Sequence, residues 1–233
     1  MQKTIEGLTY DFEGDVFIDV GGNIGMWAIE LLDVFEKIIF IEPSEQAMSQ
    51  AKARIENVCK RKELDFSKVS FKKNLCFNAS DQQYNIYTPT NDTGNFSIFG
   101  QDLYGEIFGI RMKEENISTI TLDSLIPEIG NNKKVCIKVD TEGCDLDILI
   151  GGFELIQKYK PIIFMEAHFH MYYNEEKHKN VQNFLNDLGY TTKEFKHSSY
   201  LFEYNRLLDG KHTGKEIYDL HYKILFEPPN SQN

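Results

Sequence analysis

The stretch Asp15-Val16-Phe17-Ile18-Asp19-Val20-Gly21-Gly22-Asn23-Ile24-Gly25 decides how the rest of the chain is read. Residues 15–20 form an apolar, β-branched run that stops at glycines, which predicts a buried strand. Residues 26–35 then carry the apolar spacing of a helix. Residues 37–41 (KIIFI) predict a second strand, stopped by Glu42-Pro43. Ser44 is placed to cap a helix that runs to about Val58, with Glu45 in the first turn where the helix dipole favours an anion.

The alternation continues. Residues 69–77 and 84–88 predict strands separated by the polar turn 78–83, and residues 117–122 a short strand before a turn at Pro127. Residues 134–139 (KVCIKV) predict a central strand followed by a helical stretch over 145–159, and residues 161–165 (PIIFM) another buried strand. Residues 175–188 are amphipathic and end at Gly189; two late strands near 192–195 and 200–204 predict an antiparallel edge. Strands alternating with helices predict an α/β fold with a mostly parallel sheet covered on both faces. In such sheets ligands bind beyond the carboxyl ends of the strands.

Length and composition bound the possibilities. A chain of 233 residues holds one sizeable core, so residues 1–233 are read as a single domain. Its 41% apolar and 13% aromatic content is that of a globular protein. Twenty-five Lys and Arg against 36 Asp and Glu give a formal charge of −11, which repels polyphosphate and disfavours nucleic acid as partner. Lys133, Lys134 and Lys138 are the one local exception, a candidate basic groove. Cys59, Cys76, Cys136 and Cys144 show no zinc-like spacing. Residues 1–14 carry Lys3, Glu6, Asp11 and Glu13 without a continuous apolar stretch, and no run reaches the roughly 20 residues of a bilayer span, so a cytoplasmic protein is expected.

The candidate chemistry sits at the strand ends. A glycine-rich turn lets a ligand approach the backbone, with N–H groups pointing at it. Here the glycines stand at 21, 22 and 25 with Asp19 just before them, not in the G-x-G-x-x-G spacing of a dinucleotide site. An acid beside the turn repels pyrophosphate and suits a ligand with an ammonium group, as in S-adenosylmethionine; the alternative is a tight turn that merely needs small residues. Glu42, 23 residues after Asp19, is placed to accept both hydroxyls of a ribose or to cap the next helix. Asn78 and Ser80 are candidates for an adenine edge, and equally ordinary turn residues. Asp140, Glu142 and Asp145 crowd three carboxylates into six residues, which calls for a cation, a proton or hydrogen-bond donors. Glu166, His168 and His170 share one face if that segment is extended. With Asp140 they point to general acid/base chemistry, to a divalent metal held by Asp140, Glu166 and His168, or to a structural network.

Taken together, DVFIDVGGNIGMWA at 15–28, IFIEPS at 39–44, TLDSL at 121–125, IKVDTEGCDLDIL at 137–149 and PIIFMEAH at 161–168 resemble the FkbM-type methyltransferases, a branch of the class I S-adenosylmethionine-dependent enzymes. The resembling segments span about two thirds of the chain. The resemblance implies a Rossmann-like, seven-stranded methyltransferase sheet, mostly parallel with an antiparallel edge strand. It implies that Asp19, Gly21, Gly22, Asn23 and Gly25 line the cofactor's amino-acid end, that Glu42 holds the ribose, and that Asp140 borders the cofactor. It also implies O-methyl transfer to a sugar, glycan or small metabolite, with residues 93–97 touching cofactor or acceptor. Of the candidate catalytic residues, His168 or Asp140 takes the acceptor proton and Glu142 or Glu166 orients the base. Residues 99–116 are read as an acceptor lid, and residues 205–233 are an unassigned tail. The rival readings are an NAD-dependent oxidoreductase, transfer to a non-oxygen acceptor, and a methyltransferase-like protein that binds without catalysis. The amino-methylating D/N-P-P-Y/F signature is absent after the central strand, where this chain has D-T-E-G.

Overall fold

Five strands run parallel through the centre of the protein, and the three middle ones are five-residue runs with a single charged residue each. The computed structural model describes residues 1–5, 8–90, 111–141, 144–169, 175–204, 207–208, 211–212 and 215–229. An N-terminal hairpin pairs β1 (Gln2–Ile5) with β2 (Leu8–Asp11). The chain then enters β3 (Val16–Val20), α1 (Met26–Leu31), β4 (Lys37–Ile41), α2 (Glu45–Lys62) and β5 (Val69–Lys72). A second, smaller sheet follows: β6 (Leu75–Cys76), β7 (Gln83–Pro89) and β8 (Met112–Ile120). After the short α3 (Ile126–Ile129) come β9 (Val135–Val139), α4 (Asp145–Ile150), α5 (Phe153–Tyr159), β10 (Ile162–Phe169) and α6 (Glu175–Asp187). The last elements are β11 (Thr191–Tyr204), the small pair β12 (Leu207–Leu208) and β13 (Lys211–His212), and β14 (Lys215–Glu227).

The parallel strands stand in the order β10-β9-β3-β4-β5, and the antiparallel β14 and β11 continue the sheet beyond β10. Strands β3, β4 and β5 step outward in one direction, after which the chain returns to the other side of β3 to lay down β9 and β10. That reversal opens a crevice at the carboxyl ends of β3 and β9, the place where open α/β sheets bind ligands.

All five residues of β3 and of β9 are buried, as expected for central parallel strands. Alternation sends Val16, Ile18 and Val20 into one core cluster with Ile148, Leu149, Leu155 and Val181, and sends Phe17 into the other with Trp27, Leu31, Ala51 and Ile55. In α2, Ser44 caps as expected, its hydroxyl accepting from the Ala47 amide at 3.3 Å, and three cations close the last turn.

Several boundaries differ from the sequence reading. The single strand expected over 69–77 is two strands in two sheets, because the chain leaves the main sheet after Lys72. The strand expected at 117 begins at Met112 and pairs along its length with β7, so residues 112–116 belong to this hairpin; residues 99–110 of the expected lid, and the loop 93–97, lie outside the described residues. The two expected late strands are one strand with a register shift between Lys196 and Ser198. Much of the unassigned tail is β14, which sits between β10 and β11. All four cysteines are buried free thiols. No helix among the described residues is long and apolar enough to cross a membrane.

The helical stretch expected over 145–159 is broken into α4 and α5 at Gly151-Gly152. A Cβ on Gly151 would overlap the Phe77 carbonyl, so the break lets the helix pair lie against the strand-to-turn segment beside it. Gly151→Ala is therefore expected to lower stability by about 1–3 kcal/mol in urea unfolding. Unchanged stability would show that the close approach is not what breaks the helix.

Candidate cofactor site

The turn from β3 into α1 is built against the chain's own backbone. Gly21 has φ +69°, and a Cβ there would overlap the Asp140 carbonyl, so the ends of β3 and β9 meet backbone to backbone. A Cβ on Gly22 would overlap the Phe40 ring. The amides of Gly21 and Gly22 both donate to the Ile41 carbonyl, at 3.0 and 3.1 Å, and the Gly25 amide donates to Gly22 at 2.8 Å. The Asn23 amide donates to Glu42 Oε2 at 2.9 Å. This corrects the expectation of a turn with free amides: those of Gly21, Gly22, Asn23 and Gly25 are all used within the protein and do not form a pyrophosphate cradle.

Glu42, at the end of β4, is buried and fixed by two backbone donors, Asn23 N to Oε2 and Ser44 N to Oε1 at 2.8 Å. It thus ties the first turn to the start of α2, and each oxygen keeps a lone pair for another donor. Burial raises its pKa to about 7 against the pull of the two amides and Lys138, with Asp19 adding to the rise. Asn23 has φ +47°, and its side-chain oxygen is buried with no hydrogen-bond partner among the described residues.

Asp19 is fully buried, and neither of its carboxylate oxygens accepts a hydrogen bond of ordinary geometry among the described residues. The Lys138 Nζ lies 3.6 Å from its Oδ1. The same ammonium donates to the Gly21 carbonyl at 2.7 Å and lies 3.1 Å from Asp140 Oδ2. Burial raises the Asp19 pKa, and Lys138 opposes that rise. The register explains the meeting: Asp19 stands opposite Lys138 on β9 and Phe40 on β4, with Phe164 beyond Lys138 and Phe71 beyond Phe40. One charged pair is thus set in a row of aromatic side chains across the sheet.

Lys138 corrects the sequence reading. It is not part of a basic groove with Lys133 and Lys134, which pair at the surface with Asp15, Glu36 and Glu13; it is buried in the site. Its one available signal was its place in the buried run KVCIKV, two residues before Asp140. The crowded carboxylates are resolved in the same region: Asp140 faces Lys138, and Asp145, buried at the start of α4, accepts from the Thr141 hydroxyl at 2.9 Å.

The remaining candidates fall elsewhere or outside. The Asn78 amide donates to Asp147 on α4 at 2.6 Å, and the Ser80 hydroxyl is tied to Thr121, so both have local structural work. Glu142 and His170 lie outside the described residues. Positions 166 and 168 stand at the carboxyl end of β10, opposite Lys223 and His221 of β14; their side chains are outside the described part. Among the described residues no group of three or more His, Cys, Asp or Glu is arranged to hold a metal ion.

Glu42 gives a pH signature. Its folded-state pKa of about 7 stands above the ordinary 4.5, so the folded protein holds this proton more tightly than the unfolded chain. Stability from this group is complete below pH about 4.5 and is lost as pH rises through about 7. The stability of wild type relative to Glu42→Gln is therefore expected to fall by up to about 3 kcal/mol across that window. Urea unfolding at a series of pH values checks it, and a flat difference contradicts it.

The site can now be set beside known proteins. The Methyltransferase FkbM domain family matches residues 19–192. No curated protein is similar enough to match. Among solved structures, the chain is similar to methyltransferase FkbM from Methylobacillus flagellatus KT, with a TM-score of 0.55 and 18% identity over 93% of this chain and 44% of that one. That likeness shows a shared fold, and this chain spans less than half of that protein's length. A precorrin 8w decarboxylase from Methanobacterium thermoautotrophicum (TM-score 0.46, 15% identity, 92% of this chain and 82% of that one) and an S-adenosylmethionine-dependent O-methyltransferase from Thermotoga maritima (TM-score 0.41, 12% identity, 95% and 62%) are more distant. With residues 19–192 of its 233 matched, the chain belongs to the FkbM methyltransferase family, whose cofactor is S-adenosylmethionine.

Proposed function

We propose that this protein transfers a methyl group from S-adenosylmethionine to a hydroxyl group of a sugar, glycan or small metabolite. One observation carries the reading. Two buried carboxylates, Asp19 and Glu42, flank a glycine turn whose amides are spent internally. Such a site offers acceptors for an ammonium and for ribose hydroxyls, and its two acids repel a phosphate. It fits S-adenosylmethionine and disfavours NAD.

Bound there, the cofactor supplies a sulfonium methyl for in-line displacement by an oxygen nucleophile. The chain's own residues do the rest. Asp19 receives the cofactor's ammonium, with the buried Asn23 side-chain oxygen as a further acceptor. Glu42, already aligned by two amides, accepts the ribose hydroxyls. Asp140 borders the crevice at the end of β9, where its partly exposed side chain orients the acceptor. Asp140 already engages Lys138, so we assign proton removal from the acceptor hydroxyl to His168, at the end of the neighbouring strand, with Glu166 or Glu142 orienting it. No metal is needed in this scheme. The reading takes β14 and β11 as completing a seven-stranded methyltransferase sheet and residues 99–110 as part of the acceptor lid. Four buried free thiols suit a reducing cytoplasm.

Calorimetric titration tests the cofactor half. Wild type should bind S-adenosylmethionine at micromolar concentrations with or without EDTA and give no heat with NAD. Asp19→Asn should weaken that binding at least about tenfold, the loss of one charge-assisted contact. Turnover on a panel of sugar and glycan acceptors tests the other half: His168→Ala should lower kcat by about 100-fold or more at unchanged cofactor affinity. Binding of NAD in place of S-adenosylmethionine overturns the reading, and full turnover in the His168 variant removes it from the assigned role.

A further inference from the structure

Lys138 has no role in the scheme above, yet its position is costly. Its ammonium is withdrawn from water in the middle of a parallel sheet, between two carboxylates and a backbone carbonyl. A buried lysine with such partners is stabilised only when they hold it closely. Three of its partners are parts of the site: the Gly21 carbonyl at 2.7 Å belongs to the glycine turn, Asp140 at 3.1 Å follows β9, and Asp19 at 3.6 Å lies near the end of β3.

The contacts are unequal. The Gly21 carbonyl and Asp140 are within close hydrogen-bonding reach of the ammonium, while Asp19 lies at 3.6 Å and, with the Ala28 amide and Lys138 its neighbours, neither of its oxygens accepts a hydrogen bond of ordinary geometry among the described residues. The lysine thus balances charge next to Asp19 without occupying its acceptor positions. Two buried acceptors of this kind beside an internal cation match the ammonium of a ligand.

We propose that Lys138 is a positioning residue of the cofactor site, an internal cation that fixes the glycine turn through Gly21 and leaves Asp19 to receive the amino group of the ligand. The proposal rests on the reading of the site as one for S-adenosylmethionine. Removing the lysine takes away the cation that opposes burial and Asp140 at Asp19, which favours its protonated form. It also takes the donor from the Gly21 carbonyl. Both changes act at the amino-acid end of the ligand and spare the adenosine end at Glu42.

Two commercially available ligands separate those ends. S-adenosylhomocysteine carries the amino-acid arm, and 5′-methylthioadenosine keeps the adenosine thioether but lacks that arm. Calorimetric titration of Lys138→Met at pH 7 should show S-adenosylhomocysteine weakened at least about tenfold, and 5′-methylthioadenosine by less than about threefold, relative to wild type. Should that variant not fold, Lys138→Met/Asp140→Asn removes the ion pair as a pair, a change that buried pairs often tolerate, and the same selective loss is expected. Equal losses for both ligands, or no loss of S-adenosylhomocysteine, would overturn the proposal while leaving the cofactor reading intact. Failure of wild type to bind either ligand would sink the cofactor reading and this proposal with it.

Discussion

The contact on which this structure depends is the meeting of β3 and β9 at their carboxyl ends. There the Gly21 backbone lies against the Asp140 carbonyl, and the Lys138 ammonium is held among Gly21, Asp140 and Asp19. The chain reverses its direction of travel across the sheet between these two strands, so the crevice that the topology opens is the one this contact shapes. An apolar pair of strand ends would pack as well. Placing three ionisable side chains there raises the cost of every misalignment, because a displaced partner leaves a buried charge uncompensated. The Gly21 turn, the start of α1 and the position of Glu42 all inherit their geometry from this point, through the amides of Gly21 and Gly22 on Ile41 and of Asn23 on Glu42.

The polarity of the site follows from the same contact. A glycine turn at the start of a helix commonly offers its amides to an anion. Here those amides turn inward, and what remains available is acceptor capacity: the oxygens of Asp19, the second lone pairs of Glu42 and the side-chain oxygen of Asn23. Burial disfavours the charged form of both acids, so each gains from a ligand that supplies donors. The same loop geometry with one more free amide and one less acid would favour phosphate.

Much of this was legible in the sequence because it is local. The apolar run of β3, the glycines after it, the KIIFI strand with its Glu42-Pro43 stop and the Ser44 cap depend on neighbours in the chain and are found where they were expected. What was not legible depends on pairing between distant segments. The inward turn of the amides needs the Ile41 carbonyl, a residue of the next strand, and no pattern in the glycine loop itself announces it. Lysine is so often a surface residue that Lys138 read as one, although the run around it is apolar on both sides. Asn78 and Ser80 have the chemistry of an adenine contact, and only the fold shows their side chains spent on Asp147 and Thr121. The break at Gly151-Gly152 went unread within the stretch 145–159, and the close approach of the Phe77 carbonyl to Gly151 is a tertiary contact.

The central claim is that Glu42, held toward its protonated form by burial, ionises against the ribose donors of the cofactor. The most direct measurement is the number of protons exchanged when S-adenosylmethionine binds at pH 7, obtained by calorimetry in buffers of different ionisation enthalpy. The account predicts net proton release, because ribose hydroxyls against Glu42 favour its charged carboxylate. Proton uptake, or binding with no proton exchanged, would contradict it.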